Sequence, residues 1–296
     1  MKVGLFLPSG GDKMMGGRDP RWSDLLAMTR AAEDAGFDFV GVLDHLDKYW
    51  ECWSVLAGLA AATSRIGLIS YVTCTTYRNP ALLAKMAATV DEISNGRLIV
   101  GLGAGDSESE HRTYDIAHDH PVGRFEEAAT IVARLLREGR LDYEGRYYTV
   151  RGCKLEPRSP RPNGPPILIG SLGGTRMQRI TVELADIWSG GTMLTARNDV
   201  DAIGPLLDGL DAACRAGGRD PRSLGRMAEV LVEYAPGRSA AWTDNLPFTG
   251  SPAEIAERLL EYARLGIEYL MVWVEPNDVS GIEQLAEVLP LLRAHA

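Results

Sequence analysis

Asp44 and His45 stand side by side directly after a run of apolar and aromatic residues. An imidazole exchanges protons near neutral pH, which makes His45 a candidate general acid or base. The alternative for the pair is structural: two hydrogen-bonding side chains that anchor their loop. Asp106, Glu108 and Glu110 form a second acidic group, read either as acid–base candidates or as a solvated acidic loop. In a third segment, Gly170-Ser171-Leu172-Gly173-Gly174-Thr175, glycines run straight into a helical pattern. Backbone N–H groups and the helix dipole can hold a phosphate at such a place, although a plain tight turn has the same composition. Val72-Thr73-Cys74-Thr75 closes another strand-like run with two hydroxyls and a thiol.

Other chemistries lack support. Gly101-Leu102-Gly103-Ala104-Gly105 suggests a dinucleotide fingerprint, but its second interval is wrong and it follows the fourth strand instead of opening the chain. No Gly-x-Ser-x-Gly elbow and no His-Glu-x-x-His pair is present. His118-x-His120 reads as a solvated loop, and no metal site is expected. Thirty-one basic residues face forty acidic ones, a formal net charge of −9 at pH 7. Nucleic acids and anionic membranes both require phosphate neutralisation, so neither is an expected partner. Cys52, Cys74, Cys153 and Cys214 form no C-x-x-C pair and read as reduced cytoplasmic thiols. The first apolar run stops at Pro8 without a small-residue cleavage site, so a secretory leader is not expected.

These candidates need elements to position them. Strand-like runs at 2–7, 37–43, 66–73 and 97–102 alternate with helical patterns at 23–35, 54–62 and 80–93. Asn79 and Pro80 suit the start of the third helix, whose stripe is Leu82, Leu83, Met86, Val90 and Ile93. After a gap the alternation resumes: strands at 166–170, 185–189, 227–233 and 268–274, helices at 122–138, 176–184, 200–216 and 253–265. Ser251-Pro252-Ala253-Glu254 is a capping box, and Ser280-x-x-Glu283 is expected to cap the last helix. Parallel strands need crossovers, and eight strand–helix units in 296 residues favour an α/β TIM (β/α)8 barrel, taken as one domain over 1–296. The gap marks an insertion between strands four and five, about 104–165, with a hairpin at 141–150 around Glu144-Gly145. Barrel active sites lie at the carboxyl ends of the strands, where all the segments above fall.

Residues 76–86 (Thr-Tyr-Arg-Asn-Pro-Ala-Leu-Leu-Ala-Lys-Met) and 98–105 resemble the bacterial-luciferase-like flavin and deazaflavin oxidoreductases. So do residues 143–148, 165–170 and 185–188. The Arg78-Asn79-Pro80 helix start and the compact length are most similar to the branch using coenzyme F420, a phosphorylated 5-deazaflavin. The resemblance implies hydride transfer between the deazaflavin C5 and a small organic substrate. The alternative is an FMN-dependent monooxygenase supplied by a partner reductase. The resemblance places Asp44 and His45 beside the ring; His45, and Glu108 from the acidic segment, are taken as the catalytic groups. It puts a cis peptide at Tyr71-Val72 in a bulge that supports the ring, with Thr73 and Cys74 beyond. Gly105, Asp106 and Ser109 would give ring and ribityl contacts, although many relatives have tryptophan where Asp106 stands. Gly170, Ser171, Leu172, Gly173, Gly174 and Thr175 would cradle the phosphate. A homodimer and a separate flavin or F420 reductase are also implied. Trp22, Trp50, Trp53 and Trp242 are candidates for an apolar pocket or for packing, and residues 10–17 for a lid or an ordinary loop.

Overall fold

In a computed structural model, residues 1–10, 18–47, 49–190, 198–237, 239 and 246–294 are described. Eight parallel strands close a barrel. They are β1 (Lys2–Phe6), β2 (Phe39–Val42), β3 (Gly67–Cys74) and β4 (Leu98–Gly103), then β7 (Ile167–Gly170), β8 (Ile187–Ser189), β9 (Gly225–Glu233) and β10 (Tyr269–Glu275). β1 pairs with both β10 and β2, which completes the TIM-type closure expected from the eightfold alternation. The insertion also falls where expected. Between β4 and β7 lie the helices α4 (Glu108–Thr113) and α5 (Pro121–Glu138), then the hairpin β5 (Arg140–Glu144) and β6 (Thr149–Lys154). Glu127 on α5 holds the hairpin turn by accepting from the backbone N–H groups of Arg146, Tyr147 and Tyr148 at 2.7, 2.9 and 3.0 Å.

The remaining helices of the outer layer are α1 (Trp22–Ala35), α2 (Cys52–Ala62), α3 (Pro80–Ile93), α6 (Thr175–Leu184), α7 (Gly204–Ala216), α8 (Pro252–Arg264), α9 (Val279–Ala286) and α10 (Leu289–Arg293). α3 begins as its sequence requires: Asn79 accepts from the N–H groups of Ala81 and Leu82 at 2.9 and 3.3 Å, with Pro80 in the first turn. Its buried face is Leu83, Ala84, Ala87, Ala88 and Val90, whereas Leu82 and Ile93 from the expected stripe are exposed. Small alanines let α3 sit close to the barrel, and the larger side chains at its edge turn outward. The capping box at Ser251 and Glu254 forms. The last cap is corrected: Asp278, not Ser280, accepts from the N–H groups of Ser280 and Gly281 at 2.9 and 3.2 Å. An aspartate one residue before the helix reaches these N–H groups, so Ser280 falls inside the first turn.

Two apolar layers hold the fold. The larger lies between strands and helices, and a second, formed by Phe6, Phe39, Ile69, Leu168, Met227 and Met271 with their neighbours, fills the barrel interior. The pairing of β3 with β4 slips between Ser70 and Thr73, and the Tyr71–Val72 peptide within that bulge is cis. The Val72 side chain is accommodated by glycines on β4. A Cβ on Gly101 would come within 3.1 Å of Val72 Cγ1, and one on Gly103 within 2.6 Å of Cγ2.

Candidate active site

At the carboxyl ends of the strands the barrel opens into a cavity of about 420 Å³. One wall starts with β2. Asp44, just beyond it, is buried and takes both guanidinium nitrogens of Arg78, Nη1 to Oδ2 at 2.6 Å and Nη2 to Oδ1 at 2.9 Å. Arg78 also reaches Glu51, the N-cap of α2, at 2.5 Å. The Cys74 N–H adds a bond to Asp44 Oδ2 at 3.2 Å. Burial pushes the Asp44 carboxyl up, and the Arg78 guanidinium pulls it down. This pair fixes the β2 loop to the start of α3.

His45 follows, half-exposed on the cavity wall. Its Nδ1 lies 2.8 Å from Glu110 Oε1, and the other carboxylate oxygen accepts from the Leu46 N–H at 2.8 Å and the Tyr77 hydroxyl at 2.7 Å. Burial works against the Glu110 charge, but the Leu46 N–H, the Tyr77 hydroxyl and His45 together hold its carboxyl below the usual range. An ionised Glu110 accepts from Nδ1–H, which leaves Nε2 as the ring nitrogen able to take or give a proton.

Of the expected acidic candidates it is Glu110, not Glu108, that contacts His45. Glu108 is exposed at the first residue of α4, whereas Glu110 is buried beneath His45. A helix turns about 100° per residue, so two positions carry the side chain from solvent to the inner face. Ser109 is also exposed and bonds to Ser107 at 3.1 Å, away from the cavity wall. Gly105 and Asp106 do line the cavity. Gly105 has φ +81° and leaves no room for a side chain: a Cβ there would stand 2.4 Å from Cys74 Sγ.

Of the β3 residues, Tyr71, Val72 and Cys74 face the cavity, while Thr73 is buried outside its wall. Gly170, Ser171 and Leu172 line the opposite side. Gly173 and Gly174 follow with φ values of +112° and +84°, and α6 begins at Thr175 with no side-chain cap on its N-terminal N–H groups. Those donors are available to an anion. Arg176 in the same turn pairs with Glu126 at 2.5 Å.

Several lining residues escaped the sequence reading. Phe6 and Trp273 stack at 3.6 Å between ring centroids, forming an apolar wall. Tyr71, Ser189 and Glu229 form a polar floor, with the Tyr71 hydroxyl 2.5 Å from Ser189 Oγ and donating to Glu229 Oε1 at 2.9 Å. Burial pushes the Glu229 carboxyl up to about 7, against the Tyr71 hydrogen bond. A glutamate between Ala228 and Val230 in an apolar strand was the available signal. Three of the four tryptophans singled out earlier lie elsewhere. Trp53 is in the core, Trp22 and Trp50 are exposed, and Trp242 is outside the described residues, as are 11–17 of the expected lid. His118 is half-buried with its ring 4.3 Å from that of His111, which corrects its reading as a solvated loop residue; His120 is exposed. Among the described residues no group of histidine, cysteine and carboxylate side chains could hold a metal ion.

The model for luciferase-like monooxygenases matches residues 1–249, and the chain belongs to that enzyme family. It is 33% identical over 223 residues to a 5,10-methylenetetrahydromethanopterin reductase of Archaeoglobus fulgidus, covering 75% of this chain and 64% of that protein. An F420-dependent hydroxymycolic acid dehydrogenase of Mycobacterium tuberculosis is 31% identical over 231 residues, 75% of this chain and 62% of that protein. The chain thus spans less than two thirds of the length of both. A pyrimidine monooxygenase RutA of Methylorubrum extorquens is 30% identical over 266 residues, 82% of this chain and 70% of that protein. The fold superposes on the coenzyme F420-dependent tetrahydromethanopterin reductase of Methanopyrus kandleri with a TM-score of 0.77 at 18% identity, covering 98% and 99% of the two chains.

Proposed function

We propose that the protein is an F420-dependent oxidoreductase acting on a small organic substrate. The observation that carries this reading is His45, paired with Glu110, on the wall of a cavity that Gly170, Ser171 and Leu172 also line as they lead to the uncapped N-terminus of α6. The names of the relatives favour a deazaflavin as the redox group. The residues fit such a group. The cavity has room for a flat ring system, and a Cβ on Gly173 or Gly174 would meet nothing within 4 Å, so the backbone there is open to a phosphate.

Val72 and the bulge would support the ring, Gly105 and Asp106 would flank it, and residues 170–175 would take the phosphate. When bound, F420 supplies a hydride donor or acceptor at C5. The chain's own part is to handle the proton. Glu110 fixes the His45 ring and its tautomer through Nδ1, leaving Nε2 to deliver or remove a proton at the substrate oxygen. Asp44 and Arg78 hold the loop that carries His45. Phe6 and Trp273 give the cavity one apolar wall.

The second reading is an FMN-dependent monooxygenase supplied by a separate reductase, favoured by the similarity to pyrimidine monooxygenases. Parallel equilibrium titrations with oxidised F420 and FMN test the choice. F420 is expected to bind at least tenfold more tightly. The reverse preference, together with oxygen-dependent turnover of reduced FMN, would move the protein to the second reading. A homodimer in the cytoplasm belongs to the same proposal. Among the described residues, no helix is long and apolar enough to cross a membrane.

A further inference from the structure

The inner end of the cavity carries a polar group that the proton chemistry at His45 does not use. Tyr71 has one hydroxyl proton and donates it to Glu229 Oε1 at 2.9 Å. The 2.5 Å contact between Tyr71 and Ser189 must then use the serine proton, so Ser189 Oγ donates to the phenol. Hydrogen bonding thus runs in one direction, from Ser189 to Tyr71 to Glu229, and the serine oxygen keeps its acceptor capacity. All three side chains line the cavity, and all three residues are buried.

Charge narrows what can dock there. The cavity wall contains Asp44, Asp106 and Glu229 and, among the described residues, no lysine or arginine. The guanidinium of Arg78 is committed to Asp44 and Glu51. An incoming carboxylate would lose its water, find no lysine or arginine among the described residues of the wall, and meet a carboxyl group and an acceptor oxygen. A neutral group with an N–H or O–H meets a matched acceptor instead. The apolar wall of Phe6 and Trp273 beside it suits the body of an aromatic or alicyclic molecule.

We propose that Tyr71, Ser189 and Glu229 form a subsite for an uncharged hydrogen-bond donor, an amide, imide or hydroxyl, and that this subsite excludes carboxylates from the inner end of the cavity. The inference deepens the reading of the cavity as a ligand site and rests on it. The donor can come from the amide-like edge of the redox ring or from the substrate.

Benzamide and benzoate are a near-isosteric pair that separates donor from anion. They are titrated into the cofactor-free full chain at pH 7.5 and followed by ligand-observed NMR. Benzamide is expected to bind at least tenfold more tightly than benzoate. Ser189→Ala combined with Tyr71→Phe should weaken benzamide at least fivefold and bring the pair within about twofold, with circular dichroism confirming the fold. Glu229→Gln, which keeps the side-chain shape and makes it neutral at every pH, should retain benzamide binding, and loss of that binding in the folded variant overturns the subsite even if the double variant unfolds. Equal binding of the two probes by the wild type, or an unchanged preference in a folded double variant, overturns the subsite. Repeating the titration with saturating FMN or F420 separates the sources. Expulsion of benzamide assigns the subsite to the redox ring, and joint binding assigns it to the substrate. The first titrations use no cofactor, so a wrong cofactor choice leaves their outcome unaffected.

Discussion

At the scale of single residues, the proposed chemistry rests on a histidine hydrogen-bonded to a carboxylate 65 positions away. His45→Ala is expected to lower kcat by about 10²–10⁴-fold, the usual span for a general acid–base group. Cofactor affinity should change far less, because the backbone of residues 170–175 is untouched. If His45 only anchored its loop, the variant would bind cofactor poorly while the chemistry of the bound fraction stayed normal; measuring both constants on one preparation decides this. Glu110→Gln is expected to reduce kcat more than it changes cofactor affinity, since an amide cannot hold the imidazole by charge. Glu108→Gln, at an exposed position, should leave both constants within about twofold. A larger loss of kcat from Glu108→Gln than from Glu110→Gln would return the role to Glu108.

Among the elements, the turn into α6 carries the anion-binding role in the proposed function. Gly173→Asp puts a carboxylate beside the open N–H groups of that helix, at a residue with φ +112°. Affinity for F420 or FMN is expected to fall at least tenfold while the thermal unfolding temperature stays within a few degrees. Unchanged affinity in a folded variant removes this loop from the site. The start of α3 offers a control on stability alone. Asn79→Ala deletes the acceptor for two backbone N–H groups and should cost about 1 kcal/mol by urea unfolding. Because Arg78 precedes this cap and grips Asp44, a fall in activity beyond the loss of stability would show that the cap also positions the β2 loop.

Over the whole molecule, a buried carboxyl in the barrel interior makes stability depend on pH. Glu229 holds its proton up to about 7 in the folded protein because burial disfavours its charge, whereas the unfolded chain loses that proton near the ordinary glutamate value. The folded state binds more protons between those limits, so this contribution is full below the unfolded pKa and disappears as pH rises through 7. The stability difference between wild type and Glu229→Gln should therefore shift against the wild type from pH 4.5 to pH 7, by on the order of 3 kcal/mol. Urea unfolding of both proteins at several pH values measures it. A difference independent of pH would mean that folding leaves the Glu229 pKa unchanged.

The sequence by itself determined the barrel, the place of its insertion and the side of the fold that carries the site. Each follows from local periodicity: alternating strand and helix patterns set the closure, the spacing gap between residues 97 and 166 exposed the insertion, and strand ends located Asp44, His45 and the glycine loop. Only the tertiary structure decided which acid meets His45. Glu108 and Glu110 share one short acidic segment, and the helix that turns one inward is only six residues long, too short to leave a readable stripe. It also assembled the Tyr71–Ser189–Glu229 floor from strands 118 and 158 positions apart in sequence. Barrel closure sets those side chains against one another, and no local pattern records which inward-facing residues share a layer.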